Sequence, residues 1–139
     1  MNVDINAAKS PAQRASFISP QLVKERKRDE WLALFADDAV VEDPVGPSLF
    51  DPAGKGHRGK AAIARFYDTI ITAGGAFDFT MQASYPCGDE CANVWVGRMT
   101  GADGKVNETP MVTIYKVNGE GKILSLRAFW DSSRLQPNG

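Results

Sequence analysis

Ala36-Asp37-Asp38-Ala39-Val40-Val41-Glu42-Asp43-Pro44 is the stretch around which the rest of the chain can be ordered. Polar residues close a helix, Val40 and Val41 begin a short strand, and Asp43 stands where that strand stops. The residue before a proline is pushed out of the helical region, so Asp43 is expected in extended or turn backbone. A carboxylate at a strand end beside an apolar run is either a turn cap or a general base facing a pocket. Glu42 alternates to the opposite face, toward solvent.

Upstream, Ser10-Pro11 reads as a helix start, a serine cap followed by proline in the first turn. Ala12, Ala15, Phe17, Leu22 and Val23 give an apolar face that Ser19-Pro20 interrupts, which predicts a bent helix or two short ones. Asp29 opens a second helix carrying Trp31, Leu32, Leu34 and Phe35. Downstream, residues 44–59 form a long loop rich in proline and glycine, of a length that usually covers a site or runs in solvent. From Gly59 to Thr72 the apolar residues Ala62, Ile63, Phe66, Tyr67, Ile70 and Ile71 recur at helical spacing, and Gly74-Gly75 ends that helix.

The period then changes to that of strands. Phe77, Phe79, Met81 and Ala83 alternate with polar residues, and further strands are expected over 92–99, 106–117 and 123–131. Pro110 places its strand near an edge or at a bulge. The predicted class is α+β: a strongly curved, mainly antiparallel sheet packed on three N-terminal helices and enclosing a conical cavity. Tyr67, Met111, Thr113 and Trp130 are expected to point inward, with Asp43 at one side. Arg127, Phe129 and Trp95 are expected on the outer sheet surface.

Composition narrows the function. The chain has 139 residues, enough for a single domain over 1–139, with mobile tails expected at 1–9 and 132–139. A net charge of −1 speaks against nucleic-acid binding and gives no reason for membrane attraction. Cys87 and Cys91, with one histidine in the chain, form no recognisable metal site and read as two separate thiols. His57 reads as a solvated loop residue, and the glycines around it lack the context of a phosphate loop. No signal peptide or membrane span is apparent, so a cytoplasmic location is expected.

Three segments resemble a known family: Phe35 to Gly46, with its Glu42-Asp43-Pro44 element; Gly59-Lys60-Ala61-Ala62-Ile63-Ala64-Arg65-Phe66-Tyr67; and Gly121-Lys122-Ile123 through Ala128-Phe129-Trp130. Together they are similar to the Δ5-3-ketosteroid isomerase-like branch of the NTF2-like, or SnoaL-like, superfamily, over about Trp31 to Trp130. The resemblance implies an NTF2-like cone and a cofactor-free, metal-free site. In ketosteroid isomerase an aspartate base works beside an oxyanion hole of a tyrosine and a protonated aspartic acid. Carried over, Asp43 matches the base, Tyr67 a tyrosine supporting the oxyanion network, and Trp130 a tryptophan lining the cavity. Thr113 stands at the family's protonated aspartic acid. Ser19 or Phe17 stands at its first-helix tyrosine, so both direct donors are changed.

The resemblance thus implies steroid delta-isomerase-like proton transfer on a hydrophobic ketone, with Asp43 and Tyr67 catalytic and Trp130, Thr113, Met111 and Phe17 contacting substrate. Two alternatives stand beside it. One is lyase or dehydratase chemistry on an aromatic or polyketide-like compound, assisted by Tyr67, His57 or Tyr85. The other is a non-catalytic protein that binds steroids or other hydrophobic ligands. The expected partners are a hydrophobic small molecule and a second copy of the chain, paired through the sheet as a homodimer.

Overall fold

The computed structural model describes residues 1–135. The part of the expected C-terminal tail over 136–139 lies outside the described residues. Helix α1 spans Pro11–Lys24 and α2 spans Arg28–Ala33. Strand β1, Phe35–Glu42, follows at once, then the two-residue β2, His57–Arg58. Helix α3, Lys60–Phe66, runs on through a π-helical turn, Tyr67–Ile71, and a 3-10 turn, Thr72–Gly74. The long strands are β3, Ala76–Cys87; β4, Glu90–Thr100; β5, Val106–Val117; and β6, Ile123–Phe129.

The six strands form one sheet in the order β2-β1-β6-β5-β4-β3. Neighbours pair antiparallel except β1 and β6, which are parallel, so the sheet is mixed. Two features of the expected fold are therefore corrected. Only α1 and α2 precede the sheet, because β1 begins directly after α2 and α3 comes after β2. The sheet is also not rolled into a strongly curved cone: β2 and β3 are its open edges. Strands are re-aimed by bulges, and the described ladders shift register at only three places: 35–40 in β1, 81–83 in β3 and 116–117 in β5.

Helix α1 is one helix with Pro20 inside it, not two pieces. Proline forfeits one helical hydrogen bond. Here tertiary burial outweighs that loss, because Phe17, Pro20, Leu22 and Val23 are all buried and α1 packs across β3, β4 and β5. Pro110 is tolerated in β5 because β6 is in register with β5 only from Val112 onward. At Pro110 the strand has β4 on one side, through Val96, and no ladder partner on the other.

The core lies between the helices and the inner sheet face. Trp31, Phe35, Val41, Ile63 and Ile123 are fully enclosed there, and the Trp31 ring meets Phe35 edge-on at 4.7 Å. Each such side chain contributes about 1.5–3 kcal/mol through removal from water. A second tie is polar: Asn93, buried on β4, donates from Nδ2 to Ser16 Oγ of α1 at 2.8 Å and accepts at Oδ1 from Ser84 and Cys91. No helix among the described residues is long and apolar enough to cross a membrane.

Candidate active site

Alternation along β1 sets the site. Ala39 and Val41 are buried on the inner face, and Asp43 continues that face just past the strand end. Glu42 takes the other face and pairs with Arg127 of β6 at 3.2 Å. Beyond the cis Asp43–Pro44 peptide, Val45 N–H donates to the Ala128 carbonyl at 2.9 Å, which holds the chain against β6. Asp43 is thereby set beside Trp130, whose Nε1 donates to Asp43 Oδ1 at 2.6 Å.

Asp43 lies on the wall of a cavity of about 400 Å³ between α1, α3 and the sheet. That volume falls within the range of small-molecule sites. The wall is mainly apolar, with Phe66, Phe79, Trp95, Met111, Leu126 and Ala128 as examples. The loop after Pro44 brings Leu49 and Phe50 to the same cavity, with the Phe50 ring 6.4 Å from Trp130. This loop is ordered by Asp51, which accepts from Gly56 N–H at 2.8 Å, and by Gly54, where a Cβ would lie 2.6 Å from Pro47 N.

Asp43 keeps some surface, because it borders the cavity, yet its carboxyl is walled by protein. That desolvation raises its pKa above the ordinary carboxylate value. The Trp130 hydrogen bond and the charge of nearby His57 act in the opposite direction and are outweighed. Oδ2 has no hydrogen-bond partner among the described residues. The site thus holds a carboxylate with a raised pKa and one oxygen free to take a proton.

The other expected residues fall into two groups. Trp130, Thr113 and Met111 line the cavity with Asp43. Thr113 Oγ1 accepts from Trp95 Nε1 at 3.0 Å. Tyr67 and Phe17 are buried but are not among the lining residues; the Tyr67 ring packs 5.5 Å from that of Trp31. Trp95 differs from expectation: it faces inward, 2% exposed, because its place in the β4 alternation matches buried Cys91 and Asn93. His57 also differs. It sits in β2 opposite Val41, against the Phe66 ring, and its Nε2 is buried with no partner.

One residue of the site is not expected from the sequence, Tyr115, and it meets Ser19, the residue at the position of the family's first-helix tyrosine. Tyr115 lies on the same face of β5 as Met111 and Thr113, and its hydroxyl donates to Ser19 Oγ of α1 at 2.8 Å. Trp31 Nε1 donates to the same oxygen at 3.0 Å. Both Tyr115 and Ser19 line the cavity. Strand alternation from Thr113 carries the signal for Tyr115. Among the described residues no group of three or more His, Cys, Asp or Glu is arranged to hold a metal ion.

The SnoaL-like domain profile matches residues 17–126, most of the chain and the cavity-lining residues other than Ala128 and Trp130. The chain belongs to the SnoaL-like family. Within the family it falls in the Δ5-3-ketosteroid isomerase-like branch. This SnoaL-like chain is 32% identical over 98 residues to the steroid delta-isomerase of Nocardioides simplex, covering 70% of this chain and 72% of that one. It superposes on RV0760c of Mycobacterium tuberculosis, solved in complex with estradiol-17beta-hemisuccinate, with a TM-score of 0.82. The identity there is 38%, covering 90% of this chain and 97% of that one. The Δ5-3-ketosteroid isomerase from Mycobacterium sp. gives a TM-score of 0.82 at 40% identity, over 89% of this chain and 95% of that one.

Proposed function

We propose that this SnoaL-like protein catalyses a steroid delta-isomerase-like intramolecular proton transfer on a hydrophobic ketone, with Asp43 as the base. The reading is carried by Asp43 itself, a carboxylate with raised pKa and an unpartnered oxygen on the wall of an apolar cavity. Desolvation moves a carboxylate toward the acidity that suits general-base work near neutral pH. The likeness to a steroid delta-isomerase and to a steroid-bound relative supports a steroid-like substrate.

The step balances without a cofactor. Asp43 Oδ2 takes the proton from the carbon between the ketone and an isolated double bond. The C–H pair moves into the conjugated system, leaving negative charge on the ketone oxygen. When the carbonyl re-forms, the far alkene carbon takes the proton back from Asp43, and the product is a conjugated enone. Trp130 holds Oδ1, which leaves Oδ2 as the oxygen for the proton transfer. Met111 and Trp130 contact the ligand skeleton, and Thr113 offers a hydroxyl.

The test is turnover of a β,γ-unsaturated 3-ketosteroid, followed by growth of enone absorption. Asp43→Asn is expected to lower kcat by about 10²–10⁴-fold. Turnover unaffected by that substitution sinks the mechanism. Saturable steroid binding by the native chain with no product makes it a binding protein instead.

The outer sheet face is the proposed contact with a second copy of the chain. Val112 and Phe129 are paired there across β5 and β6, each 38% exposed, with Arg127 stacked over Phe129 at 5.2 Å. Gel filtration at monomer mass removes that part of the proposal.

A further inference from the structure

The proposed reaction puts charge on a ketone oxygen, and the positions of the family's direct donors are occupied by other residues. A proton count at Ser19 supplies a replacement. Ser19 Oγ accepts from Trp31 Nε1 at 3.0 Å and shares a hydrogen bond with the Tyr115 hydroxyl at 2.8 Å. The indole can only donate. The two hydroxyls own two protons between them, and their mutual bond uses one, whichever of them donates. The other O–H has no acceptor among the described residues. Ser19 is 2% and Tyr115 4% exposed, so bulk water does not satisfy it freely. A buried donor without an acceptor costs free energy. A ligand oxygen in the cavity that both residues line removes that cost.

We infer that the Ser19–Tyr115 hydroxyl pair is the cavity's hydrogen-bond donor to a carbonyl oxygen at one end of an otherwise apolar ligand. The inference rests on the isomerase reading for its chemical step and on the proton count for its ligand. Asp43 extends β1 and Tyr115 lies on β5, with β6 between them. Two strand spacings are about 10 Å, which leaves room for a carbonyl and its neighbouring carbon between base and donor. The pair is also a polarised donor: the hydroxyl that faces the ligand is itself hydrogen-bonded from behind. No proton leaves it during the reaction. Burial, with Asp43 adding to it, holds the Tyr115 hydroxyl above the ordinary phenol pKa, so the phenol stays protonated. The ligand class that fits is a hydrophobic ring system with a terminal ketone.

The probe is 4-androstene-3,17-dione, a conjugated 3-ketone of the product type, bound to the Asp43→Asn protein so that no turnover intervenes. A hydrogen bond to its C3 oxygen shifts the enone absorption band to longer wavelength. The expected result is a clear red shift with Asp43→Asn alone and loss of most of it when Ser19→Ala and Tyr115→Phe are added. With Asp43 restored, that pair of changes is expected to lower kcat by about 10²–10³-fold, the usual cost of one oxyanion donor.

Tyr115→Phe alone keeps the Trp31–Ser19 bond and serves if the multiple variant does not fold; it is expected to reduce the shift. A bound enone whose band is unshifted, or equally shifted in folded Ser19→Ala/Tyr115→Phe or Tyr115→Phe proteins, overturns the inference. Because the band reads a bound ketone and not turnover, it separates failure of the donor from failure of Asp43 as base.

Discussion

Trp130 Nε1 donates to Asp43 Oδ1 at 2.6 Å, so the last strand holds the carboxylate carried at the end of the first. The bond stabilises the ionised form and opposes the desolvation that raises the Asp43 pKa. Trp130→Phe keeps an aromatic wall and removes the donor. A base works only when ionised, so activity falls as pH drops through its pKa. The acidic limb of the kcat/KM profile is therefore expected to move to higher pH in Trp130→Phe. An acidic limb that stays in place shows that Trp130 does not tune Asp43.

Asp43 carries a stability cost of definite sign. Its pKa is raised in the folded protein. Below the unfolded pKa both states are protonated and the residue is neutral to stability. Above the folded pKa both are ionised, and the folded state alone bears the desolvation cost. Stability therefore declines as pH rises across that window. Asp43→Asn removes the charge, keeps an acceptor for Trp130, and is expected to gain about 0.5–2 kcal/mol at pH 7 as activity is lost. Thermal melts at pH 7 and at acidic pH check this; an Asp43→Asn protein no more stable than the native chain at pH 7 contradicts it.

His57 is the other group whose charge acts on Asp43, lowering its pKa. Its Nε2 is buried without a partner while its ring packs 4.7 Å from Phe66. His57→Phe keeps the ring contact and removes both the unsatisfied nitrogen and the charge. The acidic limb is expected to shift upward, as in Trp130→Phe, with Tm unchanged or higher. A drop in Tm by several degrees points instead to a structural need for the imidazole.

What the sequence discloses follows from the two periods it contains. Strand alternation puts Asp43 on the face of Val41 and Met111 on the face of Thr113. The meeting of these residues with Trp130 across strands is what the resemblance implies, and the same alternation is misread at Trp95, which is buried. The same rule reaches Tyr115, two residues beyond Thr113. That phenol stays hidden when donors are sought only at positions matched to the family. Helical positions are less decisive. Tyr67 and Phe17 are buried, but an apolar helix face does not say which of its residues meets a cavity and which meets Trp31. Two features are not written locally at all. The parallel pairing of β1 with β6 joins segments some eighty residues apart, and the openness of the sheet depends on where registers slip. Ser19 is visible as a serine before a proline, but not as the oxygen where α1, α2 and β5 meet.

The buried amide of Asn93 tests the tie between α1 and the sheet. Its Oδ1 accepts from Ser84 at 2.6 Å and its Nδ2 donates to Ser16. Ser84 Oγ in turn accepts from Gln13 Nε2 at 2.9 Å, so the network reaches α1 twice. Asn93→Ala strands these partners in a water-poor interior. It is expected to cost about 2–4 kcal/mol, read as a lower denaturant midpoint, with the binding cavity left in place in the molecules that fold. A loss under about 0.5 kcal/mol, the scale of surface substitutions, means that the network is not holding the helix.

Gly97 tests whether the cavity is there for a ligand. It lies on β4 opposite Thr109, in the cavity wall, with a φ open to any residue. A Cβ there would meet the flexible end of Met111, its Cε, at 2.8 Å, with Thr109 O at 3.7 Å. A side chain at 97 therefore grows into the hollow by displacing a methionine tip, and backbone does not have to move. Gly97→Leu is expected to fill ligand space, weaken steroid binding by at least about tenfold, which is 1.4 kcal/mol, and leave Tm equal or higher, since strand glycine is itself unfavourable. Isothermal titration with 4-androstene-3,17-dione and a thermal melt read both. Unchanged affinity in a folded Gly97→Leu protein shows that the steroid sits elsewhere than between Met111 and Asp43.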